Sequence, residues 1–182
     1  YYDTGGDKFP LLLLHGGGGF AEAMFPQIIG LTGHYRVIAP NIPATLHQFD
    51  KVINGLSILL NALNIEKTHL YGISLGGHIA QVFIRRQFER IQDMILSHTA
   101  IPCEHLAQKT AMQKNLLRMY PSSVLIPMFK RNTRNQIANA SVSISDEERE
   151  FWIEYFDQQY DSSINKRHIL SRAYLMSDYF RQ

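Results

Sequence analysis

One serine stands in a pattern that suits it to nucleophilic chemistry. Residues 72–77 read G-x-S-x-G-G with Ser74 at the centre, between a strand-like run at 68–71 and a helix-like run at 78–84. A serine in a sharp strand-to-helix turn has strained backbone angles, so small residues must flank it. The turn points the hydroxyl at a helix N-terminus, where developing negative charge is favoured. Ser74 is therefore the predicted nucleophile.

A glycine-rich turn supplies a second part of the same chemistry. Nucleophilic acyl transfer needs donors for an oxyanion as well as a serine, a base and a group that orients the base. Residues 15–19 read H-G-G-G-G after the first strand-like run, so backbone amides can face inwards there. The amides of Gly17 and Leu75 are the predicted oxyanion hole, with the glycines on either side of Gly17 as alternatives. Phosphate binding is disfavoured because neither the P-loop lysine spacing nor G-x-G-x-x-G with an acidic partner is present.

Composition describes an ordinary globular protein and excludes several classes. The chain has 182 residues, of which 45% are hydrophobic and 19% charged, enough for one well-buried domain with a small appended part. A net charge of +2 is too mild to predict a nucleic-acid partner. Cys103 is the only cysteine, which excludes an intrachain disulfide and favours a cytoplasmic location. No apolar run approaches the roughly 20 residues that span a bilayer, so no membrane span is predicted.

Strand-like and helix-like segments alternate in the first hundred residues. Four short apolar runs have the uniform hydrophobicity of parallel strands that are covered on both faces. They lie at 11–14, 35–39, 68–73 and 94–96. Segments with helical spacing separate them, at 21–31, 49–63 and 75–88. This alternation predicts an α/β fold with a mostly parallel, doubly wound sheet.

Only helix-like stretches follow residue 100. Ser145 and Glu148 have the spacing of a capping box that opens one helix, and a further helix is predicted over 165–180. The prolines at 121 and 127 predict a break between helices over 122–126. We therefore expect a core domain at 1–101 and a helical cap at 102–182.

With both glycine motifs in view, the chain resembles the α/β-hydrolase superfamily over residues 1 to about 100. The resemblance implies an α/β-hydrolase fold with a helical cap, and hydrolysis of a small carboxylic ester or related acyl or carbonyl substrate without a cofactor or a metal. The stretches 35–39 and 70–77 are also similar to the maspardin family, which implies a non-catalytic binding or scaffold protein as the alternative. Acyl transfer to an acceptor other than water uses the same residues and stays open, as does assembly into a homo-oligomer.

Two departures from the superfamily pattern bear on function. Residues 40–45 read P-N-I-P-A-T where many members have an aspartate and a glycine-rich loop, so the wall on the substrate side is unusual. The superfamily takes its catalytic acid and histidine from two later strands beyond the cap, and this sequence stops inside or just after the cap. The resemblance therefore implies that the sheet here is incomplete at its C-terminal end and that the base and acid lie outside this sequence.

The histidines of this sequence have other predicted roles. His98 follows the strand beside the nucleophile strand, at the edge where ligands bind in open α/β sheets, and is the candidate substrate-binding side chain. His15 is expected to brace the glycine turn, and His78 to pack away from Ser74. The others lack neighbours at metal-ligand spacing, so no metal site is predicted.

Apolar residues of the predicted cap have two open readings. They could line a pocket for an acyl or aromatic group, or they could form the core between cap and sheet. These residues are Leu116, Leu117, Met119, Val124, Leu125, Ile126, Met128 and Phe129.

Overall fold

The computed structural model describes residues 1–140 and 144–181, so four residues of the predicted cap, 141–143 and 182, lie outside the described residues. The described chain forms a five-stranded sheet in the order β1-β3-β2-β4-β5. The strands are β1 (Tyr2–Asp3), β2 (Pro10–Leu14), β3 (Arg36–Ala39), β4 (Thr68–Ile73) and β5 (Ile91–Ser97). β1 pairs antiparallel with β3, and all other pairs are parallel. The predicted mostly parallel sheet is confirmed.

Helices connect the parallel strands and then continue alone after β5. The connecting helices are α1 (Phe25–Thr32), which follows a 3-10 turn at Ala21–Met24, α2 (Phe49–Ala62) and α3 (Leu75–Arg86). The later helices are α4 (Glu104–Met119), α5 (Ser122–Ala138), α6 (Asp146–Ser162) and α7 (Lys166–Tyr179). The alternation predicted for the first hundred residues and the helices predicted beyond them are confirmed.

The central strand β2 buries apolar side chains on both faces of the sheet, whereas Ile95 and Leu96 of the edge strand β5 are exposed. Leu12 and Leu14 pack in one cluster with residues of α2 and α3, whereas Leu11 and Leu13 pack in a second cluster beside α1. All four leucines are 3% exposed or less. Because alternate side chains of a strand point to opposite faces, a strand covered on both sides reads as an unbroken apolar run.

A buried threonine ties the two central strands together. The Thr68 hydroxyl oxygen accepts from the Leu12 amide at 3.1 Å, and its hydrogen faces the Pro10 and His69 carbonyls at 3.1 and 2.7 Å. Thr68 is fully buried, so these bonds replace water for groups of β2 and β4.

Helix α7 connects the other late helices with the sheet. Its first half contributes Ile169 to a cluster with Leu125 of α5 and Tyr160 of α6. Its second half contributes Leu175 and Tyr179 to the core beside α2 and α3. Residues of α7 therefore pack both against α5 and α6 and against the helices that cover the sheet.

One sequence prediction about the cap is wrong. The break expected over 122–126 is instead the start of α5, which runs through Pro127. Pro121 is extended, with φ −69° and ψ 158°, and stands just before the helix, where a proline is tolerated. Pro127 lacks the amide hydrogen that would bond to the Ser123 carbonyl, and its ring crowds that carbonyl; complete burial of Leu125 between helices offsets this cost.

Candidate active site

Ser74 occupies a strained backbone conformation between β4 and α3. Its φ of 52° and ψ of −116° lie in a region that residues other than glycine rarely adopt. The Ser74 amide donates to the Ser97 carbonyl at 2.9 Å, and its own carbonyl accepts from the amides of Gly77 and His78. Contacts from β5 and from α3 thus hold the strain in place. A strained strand-to-helix turn, called the elbow below, is present at Ser74, while its role in presenting a nucleophile stays a prediction.

Glycines allow α3 to begin this close to the sheet. A Cβ built on Gly72 would lie 2.5 Å from the Gly76 carbonyl oxygen, and one on Gly76 would lie 2.1 Å from the Leu14 carbonyl oxygen. No side chain fits at such distances, so both positions require glycine for the approach of backbone to backbone.

The glycine turn after β2 lies directly against the elbow. A Cβ built on Gly16 would be 3.6 Å from Ser74 Cβ, and one on Gly17 would be 3.5 Å from Leu75 Cδ2. Leu75 opens α3, so helix geometry leaves its amide without an intrahelical acceptor. Among residues 1–140 and 144–181, the Gly17 amide donates to no protein acceptor. The fold therefore brings together the three predicted residues, while their catalytic roles remain predictions.

His15 holds the glycine turn from beneath. It is 1% exposed, and its Nδ1 lies 2.7 Å from the Gly16 carbonyl oxygen while its Nε2 accepts from the Ile42 amide at 3.3 Å. The neutral ring with the proton on Nδ1 satisfies both bonds. Burial, more than the nearby positive charge of Arg172, lowers the pKa of His15 to about 4. These contacts fit the expected bracing role.

A cavity of about 660 Å³ opens between the elbow and the cap helices. Ser74, Leu75 and Gly17 line it on the sheet side. Four of the predicted apolar cap residues line its other walls: Leu116, Leu117, Met128 and Phe129. Leu125 instead lies in the cap core. Leu117 and Phe129 also pack, with Ile126, against the cluster that contains Leu125. Met119 and Val124 are exposed and fit neither reading.

A larger groove of about 800 Å³ lies elsewhere on the surface. Its lining includes Lys114, Lys166 and Arg167 but neither Ser74 nor the glycine turn. The smaller cavity is the candidate active site because it contains the strained serine.

The structure adds two cavity residues that the sequence analysis did not single out, His168 and Arg172 of α7. Arg172 Nη2 donates to the Ile42 carbonyl at 2.5 Å and lies 3.2 Å from His168 Nε2. Burial first, and then the positive charge of Arg172, lowers the pKa of His168 to about 4. The signal in the sequence is an arginine at helical spacing from Ile169 and Leu175, on the apolar face of a helix.

His98 lies outside the cavity that contains Ser74. Its side chain is exposed, its φ is 50°, and its Nδ1 lies 2.8 Å from Ser97 Oγ. Within the described ranges, no group of three or more His, Cys, Asp or Glu side chains could hold a metal ion.

None of the helices in the described parts of the chain is long and apolar enough to cross a membrane.

A strained serine beside a glycine turn, on a parallel sheet with helices on both faces, defines the α/β-hydrolase class. The family model described as "alpha/beta hydrolase fold" matches residues 10–163. The chain therefore belongs to the α/β-hydrolase family.

Particular relatives lie in two groups. Maspardin of Rattus norvegicus is 38% identical over 100 residues, which cover 52% of this chain and 38% of that protein. A 2-hydroxy-6-oxononadienedioate/2-hydroxy-6-oxononatrienedioate hydrolase of Paraburkholderia phymatum is 32% identical over 140 residues, which cover 69% of this chain and 49% of that protein. The chain thus spans about half or less of the length of these relatives.

Solved structures agree on the fold. A hydrolase from Pseudomonas aeruginosa superposes with a TM-score of 0.72 over 96% of this chain and 67% of its own, at 20% identity. Identity this low indicates a shared fold and nothing finer.

Proposed function

We propose that this chain carries the nucleophile and the oxyanion hole of a serine hydrolase that acts on a small carboxylic ester or a related acyl or carbonyl compound. The observation that supports this most is the strained backbone of Ser74 in a glycine elbow, beside the amides of Gly17 and Leu75, in one cavity. Strain of this kind persists only where the surroundings enforce it, and it exposes the serine to a substrate.

The reaction follows from this arrangement. Ser74 Oγ attacks the substrate carbonyl carbon, the carbonyl π electrons move onto oxygen, and the amides of Gly17 and Leu75 stabilise the resulting oxyanion. Collapse expels the leaving group and leaves an acyl-serine, which water then hydrolyses. A base must accept the Ser74 proton. His168 is poorly suited because burial keeps its pKa near 4 and its Nε2 faces Arg172. We propose that a histidine and an acid from residues outside this sequence move the protons.

The cap and the core have separate tasks in this proposal. Residues 1–101 form the core that presents the nucleophile, and residues 102–182 form the cap whose apolar side chains receive the substrate. The single cysteine supports a cytoplasmic site of action. The hydrolase relative in Paraburkholderia phymatum supports hydrolysis as the reaction class.

Labelling with a fluorophosphonate tests the proposal. The natural full-length protein is expected to form a covalent adduct, and mass spectrometry is expected to place it on Ser74. Ser74→Ala should abolish labelling. Ser57→Ala is the matched control because the Ser57 hydroxyl donates to its own helix at Ile53, outside the cavity. A folded protein that is not labelled at Ser74 would rule out the hydrolase.

A second candidate function is a non-catalytic binding or scaffold protein that keeps the elbow as architecture. The similarity to maspardin favours it. A folded protein that resists labelling supports this candidate. If labelling succeeds, product analysis with an added alcohol separates hydrolysis from acyl transfer.

A further inference from the structure

We propose that Arg172 is the binding site for a carboxylate on the substrate, so that the cavity accepts esters whose acyl part carries a negative charge. The inference rests on the proposed function, because it names the substrate class of the Ser74 cavity. Three observations support it. Arg172 is buried, two of its donor atoms have no hydrogen-bond partner among the described residues, and it lines the same cavity as Ser74.

Arg172 is buried, and no carboxylate among the described residues forms an ion pair with it. It is 5% exposed, and its Nη2 is engaged by the Ile42 carbonyl and by His168. Its Nε and Nη1 are buried and have no hydrogen-bond partner among the described residues. Burying a cation without a partner costs desolvation free energy. An anion that binds to Arg172 offsets this cost.

The surroundings leave this positive charge uncancelled. Burial lowers the pKa of Arg172 only to about 10, so the guanidinium stays charged at neutral pH. His15 and His168 are neutral at that pH because their pKa values are about 4. The described residues that line the cavity include no Asp or Glu. The polar ones besides these are neutral: Ser74, Thr110, Gln113, Tyr120, Asn132, Gln136 and Tyr160.

The Arg172 side chain starts next to the predicted oxyanion hole and lines the same cavity. A Cβ built on Gly17 would be 3.9 Å from Arg172 Cβ, and both residues line the same cavity as Ser74. One molecule can therefore place an ester carbonyl at Ser74 and a second polar group at Arg172. A single guanidinium in a mainly apolar cavity balances one negative charge, and each of its unpartnered donors, Nε and Nη1, offers one charge-assisted hydrogen bond to a carboxylate oxygen. A phosphate dianion would keep a second charge uncompensated.

Paired esters test the proposal on the full-length protein. The charged substrates are mono-p-nitrophenyl succinate, glutarate and adipate, and each neutral partner is the same ester with its free carboxylate capped as a methyl ester. The wild type is expected to favour at least one charged ester by about 10- to 100-fold in kcat/KM, the range of a charge-assisted hydrogen bond. Arg172→Met should remove this preference, and Arg172→Lys should keep part of it. Arg167→Met is the matched control, since Arg167 is exposed on the same helix.

The selectivity ratio separates binding of a carboxylate from a purely structural role. Arg172 also anchors the 40–45 segment through the Ile42 carbonyl, so its loss can slow the enzyme towards every ester. Equal losses on charged and neutral esters would therefore overturn the proposal, as would a wild type that hydrolyses both equally. If Arg172→Met does not fold, the wild-type preference and its reduction in Arg172→Lys decide the matter.

A separate binding experiment tests the carboxylate site if the protein is not a hydrolase. If Ser74 is not labelled and no ester is hydrolysed, binding is measured as the rise in melting temperature with glutarate, against glutaramide as the neutral control. A rise with glutarate alone that is lost in Arg172→Met but kept in Arg167→Met supports the carboxylate site without the hydrolase. Equal behaviour of the two compounds overturns it.

Discussion

Replacing Gly76 by alanine adds one methyl group where α3 meets the central strand. The new Cβ would lie 2.1 Å from the Leu14 carbonyl oxygen, 2.6 Å from the Leu14 carbonyl carbon and 2.7 Å from the His15 carbonyl oxygen. Because Cβ atoms essentially never approach closer than 3.0 Å, the helix must retreat by about 0.9 Å. The obstacle is the backbone of β2, which pairs with strands on both sides and cannot yield as a side chain would.

The expected loss of stability follows from two opposing effects. Overpacking costs about 1–3 kcal/mol, and a clash with sheet backbone belongs at the upper end of that range. Alanine has the higher helix propensity, which returns about 1 kcal/mol. The free energy of unfolding should therefore fall by about 2 kcal/mol, which lowers the urea midpoint by about 1 M. Fluorophosphonate labelling of Ser74 should also slow, because the Leu75 amide moves with the helix.

The assay is urea unfolding followed by circular dichroism, with Gly30→Ala as the control. A Cβ on Gly30 would meet nothing within 4 Å, so alanine in exposed α1 should leave stability unchanged or raise it by up to about 1 kcal/mol. If Gly76→Ala unfolds at the same urea concentration as the wild type or at a higher one, the close approach of α3 to β2 is refuted.

Two further substitutions probe the buried polar groups. Burial lowers the pKa of His78 from 6.5 to about 4. The neutral side chain therefore contributes fully to stability above pH 6.5, and this contribution is lost as the pH falls to about 4. The free energy of unfolding should drop by up to about 3 kcal/mol between these two pH values. His78→Phe keeps the ring that stacks on Tyr179 at 4.2 Å and should reduce the drop measured by urea unfolding at pH 7 and pH 4.5. Thr68→Val should lower stability by about 1–3 kcal/mol, because it leaves the Leu12 amide and the Pro10 carbonyl without a partner.

Each of these has an outcome that contradicts it. Equal acid sensitivity of His78→Phe and the wild type would show that His78 is not buried in its neutral form. For Thr68 the control is Thr32→Val, whose hydroxyl bonds only within its own helix to Ile28. If the two valine variants lose the same stability, the Thr68 hydroxyl does not tie β2 to β4.

Local patterns in the sequence predicted most of the fold. The apolar run at 11–14 and the helical spacing over 49–63 reappear as β2 and α2, because side-chain period and burial are local consequences of backbone geometry. The elbow at Ser74 was predictable for the same reason, since a strained turn needs glycines at fixed offsets. Local patterns failed at Pro127. Proline disfavours the interior of a helix, but packing of α5 keeps the helix continuous through this residue.

The sequence by itself determined the strand-helix alternation, the glycine turn and a serine held at the junction between them, because each depends on residues a few positions apart. Only the tertiary structure decided what faces that serine. Arg172 lies 130 residues from Ile42 in sequence yet donates to its carbonyl. His98, which follows the strand beside the nucleophile strand, stays outside the cavity. Helical spacing shows that Arg172 lies on an apolar face, but which surface that face meets depends on how α7 packs across the chain, and local periodicity carries no record of that contact.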